Sequence, residues 1–238
     1  MADYTQMSSY YDIIMTSGYY DYNAIVECLL RYKPAQSLLE IGVGTGLILE
    51  KLVQKTTDFK KITGIDFTKA MLDKAEKRLA CFNQINLEHQ DVVELSLDRK
   101  YDIAFSYGGV WYFVLDENNQ LFLISHIDSH KNNMKGFEKL AEHVNINGVL
   151  LLGIQGPHND YEKKVSNGMV YQQKIKPTPD GFIKEYYLKD KETIVMFQTI
   201  NYFVYSFYDA LCMIENYEFK YKPTNDIRNC KFLEFEKL

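Results

Sequence analysis

The spacing of apolar residues changes character about two-thirds of the way along the chain. Before Gly156, short apolar runs alternate with stretches whose apolar residues recur every three or four positions. Leu38–Ile41, Ile62–Ile65, Tyr101–Ser106 and Gly148–Ile154 read as buried strands, with a weaker one at Ile85–Glu88. A continuous apolar run suits a parallel strand covered on both faces. Residues 46–55, 68–80 and about 135–143 read as helices between them. In the second of these, Met71, Leu72, Ala75 and Leu79 share one face, and Thr68 stands at the N-cap position. Strands alternating with helices predict an α/β fold built on a parallel, doubly wound sheet.

Beyond Gly156 the period shortens to two. Met169–Lys176, Phe182–Leu188 and Thr193–Phe203 read as successive antiparallel strands, with Lys189-Asp190-Lys191-Glu192 as a hairpin turn. Ser206, with Asp209 three positions on, starts a capped helix that ends near Asn216, and Tyr217–Tyr221 and Lys231–Glu236 read as two last strands. At the other end, residues 1–34 read as two helices. One holds Tyr4, Met7, Tyr10, Tyr11 and Ile14, and the other runs from about Asp21 to Tyr32; Ser17-Gly18 separates them and Pro34 closes the second.

The most informative local feature is the turn after the first strand. Leu38-Leu39-Glu40-Ile41 leads into Gly42-Val43-Gly44-Thr45-Gly46, and helical spacing resumes at Leu47, Leu49, Leu52 and Val53. Glycines at every second position let the main chain approach a ligand closely at the carboxyl end of a sheet. A dinucleotide fingerprint needs G-x-G-x-x-G, so the third glycine arrives one position early for a pyrophosphate. Asp66 ends the second strand, where a carboxylate accepts ribose hydroxyls in nucleotide-binding sheets.

Composition narrows the classes. The chain has 238 residues, 46% of them hydrophobic, enough for one large domain with an elaboration. A net charge of -5 argues against nucleic acid as the main partner, because phosphate backbones need a basic footprint. Tyrosine is abundant, with 19 copies, and combines apolar area with a polar tip suited to cores and ligand pockets alike. Cys28, Cys81, Cys212 and Cys230 form no CxxC pair, as expected of free buried thiols in a reducing compartment. With no basic leader in the first twenty residues and no apolar run of spanning length, a soluble, cytoplasmic protein without a membrane partner is expected.

Taken together, Leu38–Gly46 (LLEIGVGTG), Gly64–Leu72 (GIDFTKAML), Gln90-Asp91-Val92 and Tyr101–Tyr107 (YDIAFSY) resemble the motifs of class I S-adenosylmethionine-dependent methyltransferases. The resemblance covers about residues 10–155. The layout beyond is similar to that of small-molecule methyltransferases acting on amines such as glycine or amino sugars. It implies a Rossmann-like, mostly parallel seven-stranded sheet with an antiparallel β insertion after the fifth strand. The corresponding organisation is a helical lid at 1–34, a cofactor-binding core at 35–157 and 205–238, and a substrate-covering insertion at 158–204. The cofactor implied is S-adenosylmethionine. On this resemblance Gly42, Gly44 and Gly46 approach its methionyl and ribose portions, Glu40 lies near the methionine amino end, and Asp66 takes the ribose. Phe67 and Met71 flank the adenine, and Asp91 with Val92 meets the adenine edge. Ser106 and Tyr107 stand where the methyl group emerges, and Tyr11 and Tyr22 cover the cofactor.

On the acceptor side, Tyr19, Trp111 and His158 are the candidates. Trp111 follows Gly108-Gly109 beyond the fourth strand, and His158 follows the fifth strand at its carboxyl edge; each has a bland alternative as packing or surface. Tyr11, Tyr19 and Tyr22 have an equally good structural reading. His126 and His130, with Asp128 between them, hint at a metal site but lack a third ligand at diagnostic spacing, so exposed loop histidines and no metal are expected. The expected activity is methyl transfer to a nitrogen, less readily an oxygen, of a small molecule. The rivals are a non-catalytic binding protein on the same fold and a cofactor-using enzyme of another reaction, such as cyclisation. The working face of the insertion, which would cover the acceptor pocket, could instead make a homodimer contact.

Overall fold

The computed structural model describes residues 2–32, 34–224 and 226–238. The strands are β1 (Ser37–Ile41), β2 (Lys61–Asp66), β3 (Ile85–His89), β4 (Tyr101–Ser106), β5 (Trp111–Leu115), β6 (Leu121–Ser125), β7 (Val144–Gln155), β8 (Tyr161–Lys164), β9 (Val170–Thr178), β10 (Gly181–Asp190), β11 (Thr193–Ser206), β12 (Phe219–Lys222) and β13 (Phe232–Lys237). The helices are α1 (Tyr11–Thr16), α2 (Tyr22–Leu29), α3 (Leu47–Lys55), α4 (Lys69–Leu79), α5 (His130–Glu142) and α6 (Phe207–Glu215).

A core sheet runs in the order β3-β2-β1-β4-β7-β13-β12, seven strands with parallel pairing from β3 through β7. β13 enters antiparallel between β7 and β12. Every residue of β1 is buried, and its side chains divide by parity: Leu38 joins one apolar core, Leu39 and Ile41 the other. That two-sided burial explains why the run carries no alternation in sequence.

The expected antiparallel addition is present and larger than anticipated. β8 to β11 form a meander, with β10 paired along its length to β9 and β11. β11 also pairs with β6, and β6 with β5, so the addition begins before the fifth core strand, at a hairpin over 111–125 that the apolar pattern did not reveal as strands. The last residues of β7 pair with β5, and this one strand joins the two sheets. Trp111–Leu115 and Leu121–Ser125 are largely buried on both faces and so show no period of two. Their turn chemistry was nonetheless explicit, because Asp116 accepts hydrogen bonds from the backbone N–H groups of Asn118 and Gln120.

Local signals were otherwise followed. Asp21 caps α2, and Ser206 caps α6 while donating to Asp209. Thr68 precedes α4 as expected but does not cap it; its hydroxyl accepts from Tyr4 N at 3.1 Å, tying the N-terminal segment to the core. A second tie joins Asp12 of α1 to Thr45 Oγ1 (2.6 Å) and to Arg78 Nη2 of α4 (2.5 Å). The N-terminal segment lies over the glycine turn, not beside the sheet. Two of the four cysteines, Cys81 and Cys212, are exposed, contrary to the expectation of burial, though all four are free. Among the described residues no helix is long and apolar enough to cross a membrane.

Candidate active site

The glycine turn is held from below by strand backbone. Gly42 N and Val43 N both donate to Ile65 O at 2.9 Å, which curls the chain over the end of β2. Gly42 has φ +76°, and a Cβ there would lie 2.9 Å from Gly109 Cα, so two loops meet main chain to main chain at this point. Asp66 then braces the turn. Its Oδ2 accepts from Gly44 N (2.8 Å) and its Oδ1 from Thr68 N (2.7 Å). Burial raises this carboxyl above its ordinary range, opposed by those two N–H groups. Each oxygen retains a further lone pair for a ligand hydroxyl.

Between the turn and the N-terminal segment lies a cleft lined by Gly42, Gly44, Asp66, Phe67, Met71 and Val92 from the core. Tyr4 and Tyr11 close it from above, leaving about 50 Å³. Ligand pockets usually run to ~300–1,000 Å³, so the cleft in this conformation is smaller than a nucleoside needs. Next to the cleft, Tyr11, Tyr22 and Tyr107 line a small space with Glu40 and Gly42. Glu40 is buried, and its Oε2 has no hydrogen-bond partner. Burial, with a further contribution from Asp66, pushes its carboxyl well above the usual range. An orphaned buried carboxyl is costly, and a ligand ammonium would satisfy it. The residues therefore fit S-adenosylmethionine at both ends, with Asp66 for hydroxyls and Glu40 for the amino group.

A second cavity of about 420 Å³ opens beyond Tyr107, lined by Tyr19, Tyr20, Gln155, His158, Tyr171 and Gln173 among others. Gly108 lies between the two spaces: it lines the first cleft, and a Cβ on it would fall 2.2 Å from Tyr20 Oη and 3.0 Å from Gln155 Nε2, both of which line the second cavity. Gln155 Nε2 and both ring nitrogens of His158 are buried without partners. His158 packs among Tyr112, Phe182 and Tyr202 and is held neutral by burial, with Lys184 and His126 adding to the effect. Behind Tyr19 lies Lys184 of β10, wholly buried, its Nζ donating to Tyr19 Oη at 3.0 Å and lying 5.0 Å from the centre of the Tyr186 ring. Among the described residues it makes no ion pair, and burial lowers its ammonium to about 7. His126 is likewise driven down to about 3 by burial, with the Lys184 charge adding to the effect.

Several sequence-derived assignments need correction. Trp111 is no pocket wall: it is fully buried, stacks on Phe137 at 4.1 Å and donates from Nε1 to Asn133 Oδ1 at 2.7 Å. β5 turns its ring to the far side of the sheet because Gly136 leaves room for it there. His126 is buried against Tyr4, Tyr112 and Tyr202, not exposed, whereas His130 is exposed as expected. Gly46 lies outside the cleft and gives α3 close contact with Leu79 and Ala75 of α4. Ser106 is fully buried beneath the 107–110 loop, its hydroxyl facing Trp111 N. Asp91 caps a short turn by accepting from Val93 N, while Gln90 and Val92 line the cleft on either side of it. Lys184 and Gln155 were missed. For Lys184 a signal existed, since Phe182, Lys184, Tyr186 and Leu188 fall on one face of a period-two strand.

A glycine turn braced by an acid, a second acid poised without a partner and an adjoining roofed cavity define a cofactor-dependent group-transfer domain on a Rossmann-like sheet. Residues 38–128, somewhat over a third of the chain, match the family described as a methyltransferase domain. A malonyl-[acyl-carrier protein] O-methyltransferase from Ilyobacter polytropus is 29% identical over 90 residues, 38% of this chain and 32% of that protein. The match thus spans about a third of that curated relative's length. A solved S-adenosylmethionine-dependent methyltransferase from Clostridium acetobutylicum superposes with a TM-score of 0.65 at 18% identity, covering 99% of this chain and 98% of the other. A sugar N-methyltransferase from a Streptoalloteichus species gives a TM-score of 0.69 at 18% identity, covering 95% and 92%. At that identity the two structures establish the shared fold.

Proposed function

We propose that this protein methylates a nitrogen of a small molecule seated in the cavity beyond Tyr107. The observation that carries the reading is the junction at Gly108, where the cofactor cleft and the roofed cavity share a wall. When bound, S-adenosylmethionine supplies a methyl already activated by sulfonium charge. The chain's own residues then have three tasks: to hold the cofactor, align a nucleophile and exclude water.

Asp66 and the N–H groups of the glycine turn would hold the ribose portion, Glu40 the amino group, and Phe67 and Met71 the adenine faces, with Gln90 and Val92 at its edge. Tyr11 and Tyr22 would cover the methionine portion. Tyr19, Tyr20 and Tyr107 present hydroxyls and ring faces to the acceptor, and His158, kept neutral by burial, can accept a proton or a hydrogen bond from it. An amine must arrive unprotonated to react. Lys184 places positive charge behind the cavity wall and favours the neutral amine. The name of the Streptoalloteichus neighbour supports nitrogen as the acceptor atom, and that of the Ilyobacter relative supports oxygen. The cavity chemistry favours nitrogen, because a hydroxyl would need a stronger base than a histidine so far depressed. Residues 1–34 serve as the lid, and residues 158–204, extended by the 111–125 hairpin, as the roof.

The test is mass spectrometry of the protein with S-adenosylmethionine and a panel of amines, phenols and carboxylates. A one-methyl gain on an amine is expected. A gain only on a phenol or carboxylate moves the acceptor atom to oxygen. No gain on any compound, with the cofactor bound, would leave a binding protein.

A further inference from the structure

The second cavity holds buried donors without partners and little negative charge. Gln155 Nε2 is buried there without a partner, and His158 has one ring N–H equally unmatched. Two lysines line the same space. Lys163 reaches only Gly18 O at 3.4 Å, and Lys231 enters no ion pair among the described residues. One carboxylate lines it, that of Asp21, and its Oδ1 accepts from Ala24 N as the cap of α2. Positive charge gathers here in a protein whose overall charge is -5, and Lys184 adds to it from behind Tyr19. Unmatched buried donors are costly, so this arrangement is complementary to a ligand that brings acceptors and negative charge.

We infer that the molecule entering this cavity carries an oxyanion, a carboxylate or a phosphate, held by Gln155, His158, Lys163 and Lys231. The inference rests on reading the cavity as the acceptor site and specifies the chemistry of what fills it. Tyr20 and Tyr107 occupy the end nearest the cofactor cleft, Lys163 lies on β8 beside Gly18, and Lys231 immediately precedes β13, its backbone O accepting from Ile154 N. Charge pairing with the oxyanion then orients the acceptor within the cavity beside Gly108.

Acetate, inorganic phosphate and neutral acetamide serve as probes, titrated with and without S-adenosylhomocysteine while the His158 ring C–H signals are followed by NMR. Those signals are assigned by their loss in His158→Asn. Saturable shifts with acetate or phosphate are expected, with acetamide at least about tenfold weaker, a factor worth ~1.4 kcal/mol. The tighter anion tells carboxylate from phosphate. Lys231→Met and the exposed Lys163→Met should each weaken the anion about threefold or more while the fold, checked by thermal melting, is kept. Equal binding of acetamide, no saturation by either anion, or unchanged anion affinity in both lysine variants overturns the inference. Affinity for S-adenosylhomocysteine, measured in the same series, reports separately on the methyl-transfer reading. Its loss with anion binding intact would defeat that reading and leave the oxyanion site standing.

Discussion

The ammonium of Lys184, buried in the middle of β10, donates to the hydroxyl of Tyr19 on the N-terminal segment at 3.0 Å. No carboxylate among the described residues pairs with it, and its nearest charged or titratable neighbours are Tyr19, Tyr186 and the histidines at 126 and 158. The contact joins the N-terminal segment to the β8–β11 meander, and its strength depends on the protonation of one amine.

A stability measurement reads that protonation directly. Burial lowers Lys184 to about 7, whereas an unfolded lysine titrates near ~10.4. Between those values the unfolded chain binds a proton that the native chain does not, so stability rises as pH climbs from 7 toward 10. Below pH 7 both states carry the proton, and the full cost of burying the charge remains. Lys184→Met should therefore gain more stability over the native protein at pH 6 than at pH 9, by about 2.5 kcal/mol. Urea unfolding at the two pH values checks this. An equal difference at both would show that the amine titrates normally.

Asp66→Ala should weaken binding of S-adenosylhomocysteine by about 1.5–3 kcal/mol, the usual scale for charge-assisted hydrogen bonds. Part of that loss is indirect, because Gly44 N and Thr68 N both donate to this carboxylate and the turn loses its brace. Calorimetry on the folded variant decides the matter, and an unchanged dissociation constant removes Asp66 from the site.

The N-terminal segment should exchange its amides more slowly when the cofactor is bound. It closes the cleft to about 50 Å³, so it must open to admit a ligand and then re-form its ties through Thr68, Thr45 and Arg78. Hydrogen exchange over residues 4–22 with and without saturating S-adenosylhomocysteine tests the lid. Arg78→Met should speed exchange in the free protein by loosening Asp12. Identical exchange in both states would make the segment a fixed part of the wall.

Substitutions on the inner face of the roof should change acceptor kinetics and leave the cofactor alone. Tyr171, Tyr186, Met196 and Tyr202 face inward and are buried, whereas Phe197 and Ile194 stand on the outside. Met196→Ala and Tyr171→Phe should alter acceptor KM or preference while cofactor affinity stays within about 0.5 kcal/mol, as expected for separate sites. Phe197→Ser addresses the outer face. If it converts a dimer to a monomer in sedimentation while acceptor kinetics hold, that face is an assembly surface and the inner face keeps the acceptor.

The sequence by itself determined the features that depend on local spacing. The alternation of apolar runs with helical periods specified the parallel sheet, and the glycines of the 42–46 turn with Asp66 pointed to the cleft that Gly42, Gly44 and Asp66 line, because each signal lies within a few residues of its consequence. Only the tertiary structure decided where the second cavity lies and what lines it. Two-face burial erased the period of β5 and β6, so the hairpin that extends the roof was invisible, and the same burial turned Trp111 away from the site into the core. His126 reads as a loop residue until β11 and the N-terminal segment close over it. Lys184 could be placed on an apolar face from its register, but not given its partner. Tyr19 lies 165 residues away along the chain, and the lowered charge of this lysine comes from desolvation, which exists only once lid, roof and core have packed together.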